Sequence, residues 1–238
     1  EHALRSGLSF CEIGEAIIFI DIVADRYFRL RDDLTESFKA LADGGQPSED
    51  AVAALLRQKI VQPAAVAAKI SAPRLAPAAH VSAAIDGAAK TSDLVRAVAA
   101  EVRAERKLKS IGLAASVEAL TLLKRRREMA ATIDDPLPAR AIRASEVAKL
   151  VRSPANRCLP RSIGLVARLA QLGCAVHLVL AVRSAPFAAH SWAQVGDIVL
   201  NDTVEEVGRY TPIFVAERAT LPVCHPETAF EFRLALPT

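Results

Sequence analysis

The sequence is poor in aromatic residues, has no closely spaced cysteines and shows no membrane-length apolar run at its start. Aromatic side chains make up 5% of the 238 residues, so aliphatic side chains and alanine must fill most of the core. The apolar run from Ala16 to Ile20 is far too short to span a bilayer, and no secretory signal opens the chain. Four cysteines without a CxxC pair predict reduced thiols in a cytoplasmic protein: Cys11, Cys158, Cys174 and Cys224.

Neither sign of charge dominates the sequence. The net charge is +3, and a composition of 52% hydrophobic and 24% charged residues is typical of a globular chain with a sizeable core. We therefore expect neither a nucleic-acid partner nor a membrane partner. The one dense basic run, Lys124 to Arg127, closes a helical pattern and predicts a solvated helix C-terminus. Because the sequence begins at Glu1 without Met, we expect its natural N-terminus to be missing.

Residues 1–62 predict a small module in which three short strands, within residues 8–30, precede two helices at residues 34–42 and 49–60. Ser48 is a suitable N-cap for the second helix. Three prolines in an alanine-rich context then predict a linker at residues 63–80. A unit of this size is marginally stable alone, so we expect it to lean on the second domain.

Residues 81–238 predict a second domain in which helices precede strands. Helical periodicity covers residues 91–152, and a helix at 159–172 ends at Gly173. Strand patterns follow at residues 175–183, 189–195 and 198–200, and the pattern is weak beyond residue 206. We expect an α+β protein with helices packed on an antiparallel sheet in this domain.

Cys158 stands at the predicted start of a helix. Free N–H groups and the helix dipole stabilise a thiolate there, and Arg157 and Arg161 add positive charge nearby. Pro160 suits the first helical turn, where its missing N–H costs nothing. From the residues alone two interpretations stay open: a catalytic nucleophile, or a buried cysteine at a helix start.

His190 opens a predicted strand, and a two-residue turn at Gly196-Asp197 leads into the next strand, which Asp202 closes. The resulting hairpin brings Asp202 towards His190 Nδ1. Asp197, about 20 Å away along an extended strand, is interpreted as a turn residue. Asn201 is either an oxyanion or orienting neighbour or an ordinary strand-end residue. A thiol, an imidazole and a carboxylate in this order are what thiol proteases and transglutaminases require.

Three motifs agree in order and spacing with the family pattern C-L-x-R-S, A-H-A-W and N-D. They are Cys158-Leu159-Pro160-Arg161-Ser162, Pro186-Phe187-Ala188-Ala189-His190-Ser191-Trp192 and Val199-Leu200-Asn201-Asp202. Across residues 154–210 the chain resembles the B proteins of lasso peptide biosynthesis, which are leader peptidases with a transglutaminase-like, papain-related fold. The resemblance implies that Cys158, His190 and Asp202 are catalytic and that no cofactor is needed. Ser191 replaces the usual Ala, and we expect it to face away from the site.

The runs Phe19-Ile20-Asp21 and Asp25 to Leu30 are similar to the leader-recognition domain of these pathways, a small winged-helix module resembling the pyrroloquinoline quinone chaperone family. Such modules hold the leader of a precursor peptide as an added strand. The implied binding residues are Arg26, Tyr27, Phe28, Arg29 and Leu30 on the third strand, with Val52, Leu55 and Leu56 on the second helix. The resemblance also implies a separate ATP-using, asparagine-synthetase-like cyclase as a partner.

Three activities remain open at this point: peptide hydrolysis, amide formation by a transglutaminase, and peptide escort without catalysis. Cys11 and Cys174 are expected in the core. Cys224 and His225, even with His177, do not form a convincing zinc set, so no metal site is expected.

Overall fold

The computed structural model describes residues 1–66, 69–86, 89–126, 129–152 and 157–216. The strands are β1 (His2–Leu4), β2 (Leu8–Ile13), β3 (Ala16–Asp21), β4 (Arg26–Arg29), β5 (Val61–Pro63), β6 (His80–Val81), β7 (His177–Ser184), β8 (Phe187–Val195), β9 (Ile198–Val199) and β10 (Thr211–Ala216). The α-helices are α1 (Asp32–Ala42), α2 (Glu49–Arg57), α3 (Thr91–Arg125), α4 (Pro136–Val151), α5 (Cys158–Gln171) and α6 (Val204–Val207). This is the predicted α+β class. No helix within the described ranges has the length and apolarity needed to cross a membrane.

The N-terminal unit is built on the antiparallel sheet β2-β3-β4, with β3 in the centre. Alternation sends Phe10 and Phe19 to one face, where Phe38 of α1 meets both rings edge-on at 5.1 and 5.0 Å. Phe28 of β4 stacks on Phe19 at 5.2 Å. The helix α2 begins as predicted, because the Ser48 hydroxyl accepts a hydrogen bond from the Ala51 N–H at 3.3 Å.

The opposite face of this sheet belongs to the core of the second unit. The buried side chains of Cys11, Ile18, Ile20 and Ile22 form one apolar cluster with residues of α3, α5, β7 and β10. The small unit therefore shares a continuous apolar core with the second unit, as its size suggested. The predicted boundaries at residues 62 and 80 stay predictions, although β6 at the end of the predicted linker pairs with β9.

The second sheet has the order β10-β7-β8-β9-β6, antiparallel except for the parallel pair β6-β9. The predicted hairpin is present: Gln194 pairs with Val199 around the turn at Gly196, whose φ is +55°. Sequence reasoning missed β10, because Pro212 interrupts its pattern. That proline is tolerated since β10 is an edge strand with a register shift between Pro212 and Phe214.

The helix α5 packs on one face of this sheet, and α3 and α4 pack against α5. The helix α3 turns sharply at Gly112, where φ is +78°. The basic run that ends α3 is not fully solvated, contrary to the prediction. Lys124 is buried and donates a hydrogen bond to the Ala216 carbonyl at 2.9 Å, so it ties the helix end to β10. Arg127 lies outside the described residues.

The helix that begins at Cys158 approaches α3 closely at Gly164. A Cβ at this position would lie 3.0 Å from the Ala100 carbonyl carbon and 3.0 Å from the Glu101 nitrogen. Real Cβ atoms rarely come so near to backbone, so a glycine at this point is what allows α5 to lie against α3.

We expect Gly164→Ala to lower the free energy of unfolding by about 1–3 kcal/mol, because overpacking against backbone atoms forces the two helices apart. Chemical denaturation followed by circular dichroism measures this change. Ser110→Ala, on the exposed side of α3, serves as the control and should change stability by less than about 0.5 kcal/mol. A Gly164→Ala protein as stable as the wild type would contradict the close approach.

Candidate active site

The fold brings together the three residues that the sequence singled out. Cys158 is the first residue of α5, His190 lies in β8, and Asp202 follows β9. His190 Nε2 lies 2.6 Å from Asp202 Oδ2, and the imidazole also hydrogen-bonds to Cys158. The side chains of His190 and Asp202 are 16% and 19% exposed, so the site is shielded yet reachable.

Asp202 engages the other ring nitrogen from the one expected. The hairpin geometry predicted an approach to Nδ1, whereas the carboxylate lies against Nε2. Because Nε2 is engaged by the carboxylate, Nδ1 is the nitrogen left to exchange a proton with the sulfur of Cys158. A hydrogen bond from the Thr203 N–H to Asp202 Oδ1 at 2.8 Å holds the carboxylate in place.

The surroundings of the sulfur favour its thiolate form. Burial opposes the negative charge, but the His190 imidazole and its charge, the nearby Ser191 hydroxyl and the N–H of Leu159 together lower the pKa of Cys158. The Leu159 N–H is one of the free amides at the start of α5, as the helix-start argument predicted.

The imidazole is correspondingly biased towards its protonated form. Burial alone would lower its pKa, but the hydrogen bonds to Asp202 and Cys158, with the charges of both, raise the pKa of His190 to about 9. Burial likewise opposes ionisation of Asp202, and its hydrogen bonds from His190 and the Thr203 N–H lower its pKa overall. The three groups thus favour a thiolate, an imidazolium and a carboxylate in a row.

The sequence of this region matches a known family. Residues 98–215 match the profile described as the Transglutaminase-like superfamily. The chain carries a transglutaminase-like domain. The match includes Cys158, His190 and Asp202, and domains of this superfamily are typically cysteine-dependent enzymes. A search of curated proteins and a search of solved structures each found no match.

Ser191 of the transglutaminase-like domain does not face away from the site as predicted. Its side chain is buried, and its hydroxyl makes no standard hydrogen bond within the described residues. It nevertheless lies close enough to Cys158 to lower the pKa of that thiol. Strand alternation alone could not reveal this, because the sulfur sits beside β8 on the α5 side of the sheet.

Arg157 and Arg161 supply less positive charge to the sulfur than their positions suggested. Both point to the buried Glu101 of α3, with N···O distances of 3.8 Å each, and Arg157 also lies 3.7 Å from Glu105. Arg152, at the end of α4, reaches Glu101 at 3.1 Å. These pairs tie the start of α5 to α3 and α4, which makes the arginines anchors of the helix that presents Cys158.

A buried polar chain links α5 to the strands that carry the other two groups. Asn201 Nδ2 donates to Ser162 Oγ at 3.0 Å, and Ser162 donates in turn to the Ser191 carbonyl at 3.0 Å. The Ala193 N–H donates to Asn201 Oδ1 at 2.7 Å. The Asn201 side chain therefore links α5 to β8, and its role as an oxyanion or orienting neighbour stays a prediction. Ser162, which stands in the C-L-x-R-S motif, was missed, and the motif was the available signal.

Two aromatic rings lie next to the His190 imidazole. The Tyr210 ring lies 5.0 Å and the Trp192 ring 6.1 Å from His190, measured between centroids. Trp192 is fixed by a 2.7 Å hydrogen bond from its Nε1 to Gln194 Oε1, and Arg183 lies over the Tyr210 ring at 5.5 Å. Tyr210 falls in the stretch with a weak sequence pattern, so sequence reasoning did not include it in the site.

The residues implied in leader binding lie in several environments. Arg26 and Arg29 are exposed on β4, which pairs with β3 on one side and has no second strand partner among the described residues. Leu30 and Leu55 are buried in the N-terminal core, so among the implied residues of α2 only Val52 and Leu56 are open to a docked peptide. The remaining two side chains of the implied set, Tyr27 and Phe28, point to opposite faces of the sheet.

The remaining cysteines and histidines form no second centre in the part of the chain that the structure describes. Cys11 and Cys174 are buried, as predicted, and burial raises the pKa of their thiols to about 12 and about 11. The described residues contain no group of three or more His, Cys, Asp or Glu side chains that could hold a metal ion. Cys224 and His225 lie outside these residues.

We expect iodoacetamide to alkylate Cys158 at neutral pH, because its lowered pKa leaves a thiolate, whereas Cys11 and Cys174 should stay unmodified. The rate should fall as pH drops through the Cys158 pKa. Ser191→Ala should move this midpoint upwards by less than about one pH unit, because it removes a hydroxyl that favours the thiolate without a standard hydrogen bond to it. Peptide mass spectrometry after timed labelling measures both. An unchanged midpoint in Ser191→Ala would refute the contact.

We expect Asn201→Ala to cost about 2–4 kcal/mol of stability, because the Ala193 N–H and the Ser162 hydroxyl both lose a buried partner. The Ser162→Ala/Asn201→Ala double variant should lose less than the sum of the single variants, since the two residues share one bond. Denaturation of the four proteins tests this. Alkylation of Cys158 should also slow in Asn201→Ala under conditions where the protein stays folded. Full additivity would contradict the network.

Proposed function

We propose that this protein is a cysteine peptidase that hydrolyses the bond between the leader and the core of a ribosomally made lasso peptide precursor. The observation that supports it best is the row formed by Cys158 at the start of α5, His190 and Asp202, in which His190 Nε2 lies 2.6 Å from Asp202 Oδ2 and His190 lowers the pKa of Cys158. A thiolate next to an imidazolium is the reactive form of a thiol protease nucleophile. The three motifs shared with the lasso peptide B proteins add the substrate class.

In the proposed reaction the thiolate of Cys158 attacks the carbonyl carbon of the last leader residue. The N–H of Cys158, at the helix start, is suited to receive the oxyanion. As the tetrahedral intermediate collapses, His190 gives its proton to the leaving nitrogen, which becomes the free amine of the core peptide. His190 then takes a proton from water, the resulting hydroxide equivalent attacks the thioester, and the leader leaves as a carboxylic acid with the thiolate restored.

The N-terminal unit would hold the leader during this reaction. The edge of β4 that has no strand partner in the described ranges offers backbone N–H and C=O groups to an added strand, with Arg26 and Arg29 exposed beside it. Holding the leader there raises the effective concentration of the cleavage junction at Cys158. Ring closure is assigned to a separate ATP-dependent, asparagine-synthetase-like cyclase that receives the freed core.

We expect Cys158→Ala to abolish leader removal, with a loss of at least about 10³-fold, while leader binding is retained. The substrate is a lasso precursor peptide with its leader, cleavage is followed by mass spectrometry, and binding by fluorescence anisotropy of the labelled leader. Cys174→Ala is the matched control, because that buried thiol takes no part in the reaction. Cleavage by Cys158→Ala at the wild-type rate would show that the nucleophile is misassigned.

A transglutaminase-like acyl transferase is the second candidate, because the same thioester could be resolved by an amine instead of water. The superfamily match of residues 98–215 is what favours it. The mass of the leader product separates the two, since hydrolysis leaves a free acid and acyl transfer leaves an amide. If Cys158 resists iodoacetamide near neutral pH and no product forms, a peptide escort without catalysis is the better description.

A further inference from the structure

An aromatic pair joins the N-terminal unit to the edge of the active site. The ring of Tyr27, on β4, meets the ring of Phe187, at the start of β8, with 5.6 Å between centroids and 64° between planes. Tyr27 is half-buried and packs on the core that both units share, so the position of its ring is fixed. Phe187, in contrast, is 54% exposed. A large apolar ring left open to solvent in a fixed position is suited to receive a ligand.

One member of this pair lies on the strand that carries His190. Phe187 precedes His190 by three residues on the same strand, a separation of about 10 Å along its axis. Burial, then the charge of Asp25, and then that of Cys158 raise the pKa of Tyr27 to about 12, so its hydroxyl stays neutral. The Tyr27–Phe187 pair therefore offers an uncharged, largely apolar surface.

We infer that Tyr27 and Phe187 form a subsite, composed by both units, that binds an apolar side chain of the leader within two residues of the cleaved bond. The inference rests on the proposed function for the identity of the peptide. A leader held on β4 reaches Cys158 from the side of the N-terminal unit, and Tyr27 is the residue of β4 that faces the site. The peptide residues that pass the Tyr27–Phe187 pair are therefore on the leader side of the cleaved bond.

The first test needs no knowledge of the peptide. Iodoacetamide and N-benzyl iodoacetamide both alkylate a thiolate by displacing iodide, but only the second carries an apolar ring. In the wild type the benzyl reagent should modify Cys158 about tenfold faster than iodoacetamide, and the ratio should fall towards one in Tyr27→Ala and in Phe187→Ala. Tyr27→Phe should keep the ratio. Leu122→Ala, a truncation of an exposed apolar residue on α3, is the control.

Equal rate ratios in the wild type and in Tyr27→Ala would overturn the subsite, as would equal slowing with both reagents, which indicates a purely structural role. Thermal denaturation identifies a variant that has not folded, and Phe187→Ala then decides, because its exposed ring contributes little to the core.

The second test uses the precursor peptide, with Leu, Ala or Asp at each of the last two leader positions. The wild type should prefer Leu over Ala at one of them by about tenfold in kcat/KM, and Tyr27→Ala should erase this preference. Asp should be rejected by both proteins. Cleavage with an unchanged Leu preference in Tyr27→Ala would refute the subsite and leave the peptidase intact. Absence of cleavage by the wild type, with the alkylation ratios as expected, would refute the proposed peptidase function but not the apolar subsite of Tyr27 and Phe187.

Discussion

The burial of α5 is the constraint on which the site depends. Nine of its fourteen residues are buried, against α3 and α4 on one side and the sheet on the other, and Gly164 allows the closest approach. A helix held along its length has a first turn in a fixed position. The free amides of that turn and the sulfur of Cys158 therefore meet His190 without an ordering cost at the moment of reaction.

Polar groups reinforce this position from both ends of the site. On the helix side, the buried Glu101 forms ion pairs with arginines at the end of α4 and the start of α5. On the sheet side, Asn201 and Ser162 join α5 to the strands that carry His190 and Asp202. Such buried groups contribute more to defining one arrangement than to net stability, and removal of one partner leaves the other unsatisfied. The arrangement of Cys158, His190 and Asp202 is thus supported by contacts outside these three residues.

Local signals predicted much of this fold, because strands β2–β4, helix α5 and the β8-β9 hairpin are each set by residues close in sequence. Ser48, Gly173 and the turn at Gly196 mark element ends by chemistry that a sequence displays directly. The elements that sequence reasoning missed depend on residues that are distant in the sequence. The short strands β1, β5 and β6 exist only through pairing, and the Pro-containing β10 only through its place at an edge. The buried Lys124 follows from β10 in the same way.

The same distinction between local and distant signals applies to the candidate site. Order and spacing were sufficient to single out Cys158, His190 and Asp202, yet not which imidazole nitrogen meets the carboxylate. Strand alternation placed Ser191 away from the sulfur, because alternation says nothing about how a helix start lies across the sheet.

The continuous core that includes Cys11, Ile18, Ile20 and Ile22 has one more consequence. Since both units share this core, a leader that docks on β4, as we propose, would be cut at a set number of residues from its anchor, so the protein would act as a molecular ruler.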